Sequence, residues 1–281
     1  MRPPLSLRGA APTLLLTLAG STRWGVLLAL LLSACVGGPG RGGPGHLYQS
    51  FDSATGSCAR NPALCARVAG EEPVVPLAVR RLAEAGASTG AVAMVLRPEL
   101  MVRIERALVE CAEAARSQVL LEENQGRSPT SKDCLELIPG TNKTRAMHLG
   151  EKMHEVAARC AGVKLAQVAP GHFSLEPRYR YDRMKGKTTF ISEEEAQLLL
   201  KQWRGQELKG TVRPDVVIHQ GDPLHVQRIY DFKFRCDNTQ PGEWTEYPEG
   251  HVHEKLTQQD VYQDALNADA WRVTPRWGLV R

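Results

Sequence analysis

The sequence predicts an α/β protein: a mixed β-sheet flanked by helices, preceded by a mostly helical N-terminal region. Three observations carry that expectation. Residues 212–219 and 226–234 alternate as strands do, around a Gly221-Asp222-Pro223 turn. Apolar residues at helical three- and four-residue steps frame them, at 146–160 before and 256–270 after. Hydrophobic residues are 42% of the 281 positions against 23% charged, enough to enclose a core.

The elements follow in chain order. Residues 1–34 have the form of a signal peptide. Arg2, Arg8 and Arg23 are their only charges, and an apolar run at 26–32 follows, too short to span a bilayer. The run ends in Leu32-Ser33-Ala34-Cys35, which resembles a bacterial lipobox. That resemblance implies acylation of Cys35 and a membrane anchor; an ordinary secretory signal with a chance cysteine is the alternative. Residues 35–49 carry VGGPGRGGPG, a flexible Gly/Pro tether. Residues 50–140 form a helical region with a delivery or structural role. Within it, 101–121 places Ile104, Leu108, Cys111, Ala115 and Val119 on one helix face. Residues 123–144 are rich in turn formers and are expected to hold the main boundary, so that 141–281 forms the second domain. There, 173–181 and 188–191 read as extended. Ser192, with Glu195 three residues on, caps a helix through 203. No internal repeat is present.

A net charge of +4, from 35 Lys and Arg against 31 Asp and Glu, excludes a histone-like protein and an acidic tail. Aromatics at 6% exclude an aromatic-rich sugar-binding surface. Beyond Cys35 the cysteines are Cys58, Cys65, Cys111, Cys134, Cys160 and Cys236. An even number in an exported chain points to disulfides, with the pairing left open. The absence of any CxxC pair argues against a cysteine zinc site.

The chemistry concentrates in Arg213-Pro214-Asp215 and Asp231-Phe232-Lys233. On a strand, Asp231 and Lys233 share one face, and Tyr230, Phe232 and Phe234 share the other, facing the core. A carboxylate and an ammonium beside an apolar layer are costly unless they are paired or bind something. The turn at 221–223 brings Asp215 alongside. Two carboxylates then suit Mg2+, with Mn2+ as a substitute, and a nearby lysine suits phosphate or an attacking water.

These residues resemble the PD-(D/E)xK nuclease motif. Upstream, Gly150 and His154 resemble the G-x-x-x-H helical motif of RecB-type members; downstream, Gln258 and Tyr262 match their Q-x-x-x-Y motif. The resemblance implies a restriction-endonuclease-like core and metal-dependent phosphodiester hydrolysis, with endonucleolytic cutting of DNA expected and RNA left open. It implies that Asp215 and Asp231 bind metal and that His154 or Glu155 completes the shell, with Glu151 a further alternative. Lys233 would assist the attacking water, and Gln258 and Tyr262 would position substrate or Lys233. A structural salt-bridge cluster is the plain alternative for Asp215, Asp231 and Lys233.

Other candidates are weaker. Arg178, Tyr179, Arg180, Tyr181, Arg183, Lys185 and Lys187 form a basic stretch with interleaved aromatics, suited to nucleic acid or simply to a solvated hairpin. His154-Glu155 begins like HExxH, but Ala158 and Arg159 break that pattern. His251, His253 and Glu254 suit a metal or a solvated loop. No Walker A, GxGxxG or GxSxG motif occurs.

A lipobox, a variable middle and a C-terminal nuclease motif together resemble the SitA-type lipoprotein toxins of myxobacteria. That family implies a lipid anchor in the outer membrane, transfer to neighbouring cells, action in their cytoplasm on nucleic acid, and a cognate immunity protein. The alternative is a non-catalytic envelope lipoprotein retaining a nuclease-like fold.

Overall fold

The computed structural model describes Arg80 and residues 96–202 and 204–281. The signal segment, Cys35, the tether, Cys58, Cys65, Trp203 and, of the expected 50–140 region, residues 50–79 and 81–95 lie outside the described residues. Among the described residues, no helix is long and apolar enough to cross a membrane.

Local chemistry sets the helix ends. Helix α1, Pro98–Asn124, starts with proline in its first turn, where no N–H is missed, and stops at Gln125 in the left-handed region (φ 54°). Helix α2, Ser131–Leu135, is a single short stretch with a capping box between Thr130 and Asp133. Helix α3, Arg145–Val168, is capped by the Thr144 hydroxyl, which accepts from the Met147 N–H. Strands β1 (Phe173–Leu175), β2 (Arg178–Asp182) and β3 (Lys187–Ile191) follow, then helix α4 (Glu193–Lys201) and a 3-10 turn (Gly205–Leu208). Strands β4 (Val216–His219) and β5 (Val226–Phe232) precede helix α5 (Gln258–Leu266) and strands β6 (Ala270–Thr274) and β7 (Gly278–Val280).

The main sheet has five strands in the order β1-β4-β5-β6-β7. Strands β5 and β6 are parallel and the other pairs antiparallel, so the sheet is mixed, as expected. Strands β2 and β3 form a separate antiparallel ribbon. Helices α1 and α3 cover one face of the sheet: Ile104, Leu108 and Leu149 pack against Val216, Tyr230 and Phe232. Helix α5 covers the other, with Val261 and Tyr262 against Val217 and Ile229.

The boundary expected near 140 does not separate two cores. Helix α1 supplies half of the helical layer over the sheet, and the Tyr230 hydroxyl donates to Glu105 at 2.8 Å. Two disulfides fasten the same layer: Cys111–Cys160 joins α1 to α3, and Cys134–Cys236 joins α2 to the segment after β5. Farther upstream, Arg80 is buried and pairs with Glu193 at 2.6 Å. The helix expected across 256–270 is also two elements. Asn267 adopts φ 48° and ends α5, and β6 begins at Ala270.

Candidate active site

Strand alternation on β5 separates the two chemistries. Tyr230 and Phe232 enter the core under α1 and α3, while Ile229, Asp231 and Lys233 turn toward α5. Lys233 is fully buried. Its Nζ lies 2.5 Å from Asp231 Oδ2 and donates to Gln258 Oε1 at 2.7 Å. The Gln258 Nε2 group donates in turn to the Tyr262 hydroxyl at 3.3 Å. Because Gln258 presents its oxygen to a cation and its nitrogen to a hydroxyl, both neighbours fix the same amide orientation. Residues 258 and 262 lie one turn apart on α5, so one helix face presents both.

Asp215 sits just before β4, opposite Asp231. Its N–H donates to Asp231 Oδ1 at 3.3 Å, and its Oδ2 accepts the Phe232 N–H at 2.7 Å. The two carboxylates are thus locked to each other through the backbone. His154 reaches them from α3: its Nδ1 lies 3.3 Å from Asp215 Oδ2. Its ring stands edge-on to Phe234, with centroids 5.1 Å apart. The other ring nitrogen, Nε2, is buried without a hydrogen-bond partner. The elements α3, β4, β5 and α5 therefore bring His154, Asp215, Asp231, Lys233, Gln258 and Tyr262 into one continuous chain of contacts.

Burial pushes the Lys233 ammonium well below the usual lysine range, and the Arg272 guanidinium adds to that push. Asp231 opposes it at 2.5 Å; desolvation of a side chain with no exposed surface is the larger effect.

Glu155 and Glu151 are not brought to this point. Glu155 pairs with Arg159 at 2.5 Å on the outer face of α3, and Glu151 pairs with Lys143. Of the three alternatives for the upstream ligand, only His154 faces Asp215. Ala157 and Ala161, three and seven residues later, carry the buried stripe that sets this face, a signal present in the sequence.

The basic stretch divides. Arg178 is buried and donates to Thr211 Oγ1 at 2.5 Å, so it does not present a surface cation. Arg180 donates to the Glu207 carbonyl at 3.0 Å. Arg183, Lys185 and Lys187 are exposed at the ribbon tip. His251 stacks on Tyr247, His253 meets the same ring edge-on, and Glu254 accepts the Gly250 N–H at 3.0 Å, which makes this group a packed turn rather than an open ligand set.

Sequence reasoning missed Gly242 and Trp244. A Cβ at Gly242 would fall 2.5 Å from the Lys233 Cβ, so only glycine allows this approach. Trp244 lies over Lys233, with Nζ 5.2 Å from its ring centroid, and edge-on to Tyr262. Nothing in the spacing of 241–245 signals that role.

The two carboxylates supply oxygen donors that suit a hard divalent cation, and the His154 nitrogen that faces them is Nδ1, Nε2 lying on the far side of the ring. Among the described residues, no three His, Cys, Asp or Glu side chains form a preassembled cage. Mg2+ needs none, since it takes one or two carboxylates and keeps waters and phosphate oxygens. Comparison with protein families, with characterised proteins and with solved structures finds no match to this chain.

Proposed function

We propose that this chain is a metal-dependent nuclease that hydrolyses phosphodiester bonds, tied to a membrane through Cys35 and acting as a toxin in neighbouring cells. One observation carries the enzymatic reading. Three motifs far apart in sequence meet at one point, as Asp215–Asp231, Asp231–Lys233–Gln258 and Asp215–His154 contacts. A structural salt bridge needs Asp231 and Lys233 alone; it does not call for a second carboxylate, an imidazole and an ordered amide–hydroxyl pair. The order α3, β1, β4, β5, α5, β6, with β5 parallel to β6, suits a restriction-endonuclease-like core into which the ribbon and α4 are inserted.

In this reading Asp215 and Asp231 would hold Mg2+, or Mn2+ in its place, with His154 completing the set through Nδ1, the nitrogen that faces Asp215. A cation there supplies positive charge that polarises the phosphate and favours ionisation of the attacking water. Lys233 donates to the phosphate or steadies the water, and its ammonium is aimed by Asp231, Gln258 and Trp244 before substrate arrives. That prior orientation is where the rate advantage arises, because no reorganisation is needed as charge develops. Gln258 and Tyr262 hold Lys233, and Phe234 packs His154 into place.

The envelope and delivery part rests on the lipobox-like segment and implies an immunity protein in the producing cell. The test uses a chain starting at Val36, because a chain starting at Thr141 lacks α1 and exposes the sheet face it covers. Plasmid, tRNA and rRNA are incubated with it in Mg2+ and in EDTA. Cleavage in Mg2+ that EDTA abolishes is expected. Intact substrates under all conditions, with the protein folded, would leave the non-catalytic lipoprotein.

A further inference from the structure

The β2–β3 ribbon has a rigid root and a bare, basic tip. At the root, Tyr179 exchanges backbone hydrogen bonds with Val212 at 3.0 and 2.9 Å, and its hydroxyl donates to the Pro223 carbonyl at 2.8 Å. Thr188 donates to the Ala265 carbonyl at the end of α5. The root therefore packs in the same apolar cluster as Val217, Ile229 and Tyr262, on the face of the sheet that carries Lys233. Beyond the root, residues 183–187 are all exposed, and Met184 is 96% exposed. Three of those five residues, Arg183, Lys185 and Lys187, are cations. Their acidic neighbours are few and solvated: Asp182 lies 2.9 Å from Lys185, and Asp264 lies 3.9 Å from Arg183. Exposed pairs of this kind are worth little and exchange readily for phosphate.

We propose that this ribbon docks in the major groove of double-stranded DNA, with Arg183, Lys185 and Lys187 on the backbone and Met184 against base edges. The inference rests on the nuclease reading and names its substrate class. The shape selects the groove. Two paired strands lie about 4.8 Å apart, and with their side chains they fill the roughly 12 Å major groove of B-form DNA. The deep, narrow major groove of A-form RNA does not admit them. A single strand would need aromatic faces for its bases. The ribbon offers none at its tip: Tyr179 is buried, and Tyr181 and Phe190 pack against the body. An apolar methionine among cations matches thymine methyl groups flanked by phosphates.

The test measures binding and cutting separately, with the chain starting at Val36. Binding to a DNA duplex, an RNA duplex of the same sequence and single-stranded DNA is followed by fluorescence anisotropy in EDTA over a range of salt. The DNA duplex is expected to bind tightest. R183Q/K185Q/K187Q is expected to weaken it and to flatten the log–log salt dependence by about 2.7, three phosphates at roughly 0.9 each. M184Q is expected to weaken duplex binding with no change in that slope. An unchanged slope in the triple variant, an unchanged affinity in M184Q, or equal binding of RNA and DNA duplexes would overturn the assignment. Cleavage in Mg2+ is scored on the same proteins. Duplex binding through the ribbon without cutting would refute the nuclease reading alone; cutting that the triple variant carries out with unaltered KM would refute the ribbon alone.

Discussion

Removing the Cys134–Cys236 bond is expected to cost the protein a large part of its stability while sparing the candidate site around Lys233. The bond closes a loop of 102 residues, and chain entropy assigns such a loop about 4.7 kcal/mol at 25 °C. Cys111–Cys160 closes 49 residues, worth about 4.1 kcal/mol by the same relation. The two loops overlap, so the second bond adds less than its separate value once the first is closed. C134A/C236A should therefore lower Tm by roughly 10–15 °C, at about 2–4 °C per kcal/mol for a body of this size. C111A/C160A should lower it slightly less. The segment after Lys233 remains held when the first bond is gone. Arg116 Nη1 donates to the Arg235 carbonyl at 3.0 Å, and Ser131 Oγ donates to Asp237 at 2.9 Å. Calorimetric melts of the chain starting at Val36 and its two double variants supply the measurement, with plasmid cleavage at 25 °C as the companion assay. A Tm within 2–3 °C of the parent for C134A/C236A, well under the roughly 10 °C expected, would refute the loop-entropy argument. Cleavage lost below the melting transition would show that the bond itself orders Lys233.

Lys233→Ala is expected to abolish cleavage and also to destabilise the fold by about 3–5 kcal/mol, because it strands the Asp231 carboxylate in a buried site. Asp231→Asn with Lys233→Met should recover most of that stability and none of the activity; turnover by either variant at the parent rate would remove Lys233 from the mechanism. Stability should also fall between pH 6.5 and 4 because of His219. This ring is fully buried, its Nδ1 accepts the Gly221 N–H at 3.1 Å, and burial pushes its pKa down to about 4. In that window the unfolded chain binds a proton that the folded chain refuses, so stability present above pH 6.5 is lost as pH falls, up to about 3 kcal/mol. Urea midpoints at pH 7, 5.5 and 4.5 should drop less steeply for His219→Gln than for the parent, and parallel curves would contradict this assignment.

The parts of the fold legible in the sequence were those with a strong local period. The alternation of Tyr230 to Phe234 assigns each side chain to its face, and the structure distributes them that way, although β5 itself ends at Phe232 rather than at the expected 234. Spacing alone places Gln258 and Tyr262 on one helix face; the Gln258 amide donates to the Tyr262 hydroxyl and accepts from Lys233. What escaped was non-local or short. The short helix α2 was hidden in a polar stretch whose only signal was Thr130 with Asp133. Strand β6 was absorbed into the helix before it, since Asn267 ends α5 through its left-handed backbone rather than through glycine or proline. That α1 belongs to the same core as β5 follows from packing across more than 100 residues of chain, as the Tyr230–Glu105 bond illustrates with a separation of 125. His154 and Glu155 differ by one position and hence by 100° around the helix, a difference that motif matching passes over and the Ala157/Ala161 stripe resolves.

The glycine against Lys233 bears on how relatives of this chain are to be recognised. Gly242 carries none of the backbone twist that usually demands glycine; it is small because the Cβ and carbonyl of residue 233 occupy the space a methyl group would take. Such a constraint is a pairwise one, between the end of β5 and a segment nine positions after Lys233, and short motif patterns ignore it. A pattern of D-x-K followed at that interval by G-x-W would separate chains that seal their lysine in this manner from the many in which D-x-K occurs by chance. In chains that share this backbone route, glycine should persist at 242 whatever side chain stands at 233, because every non-glycine residue there keeps the Cβ and carbonyl that fill the space. Chains that enlarge position 242 would have to route this segment differently.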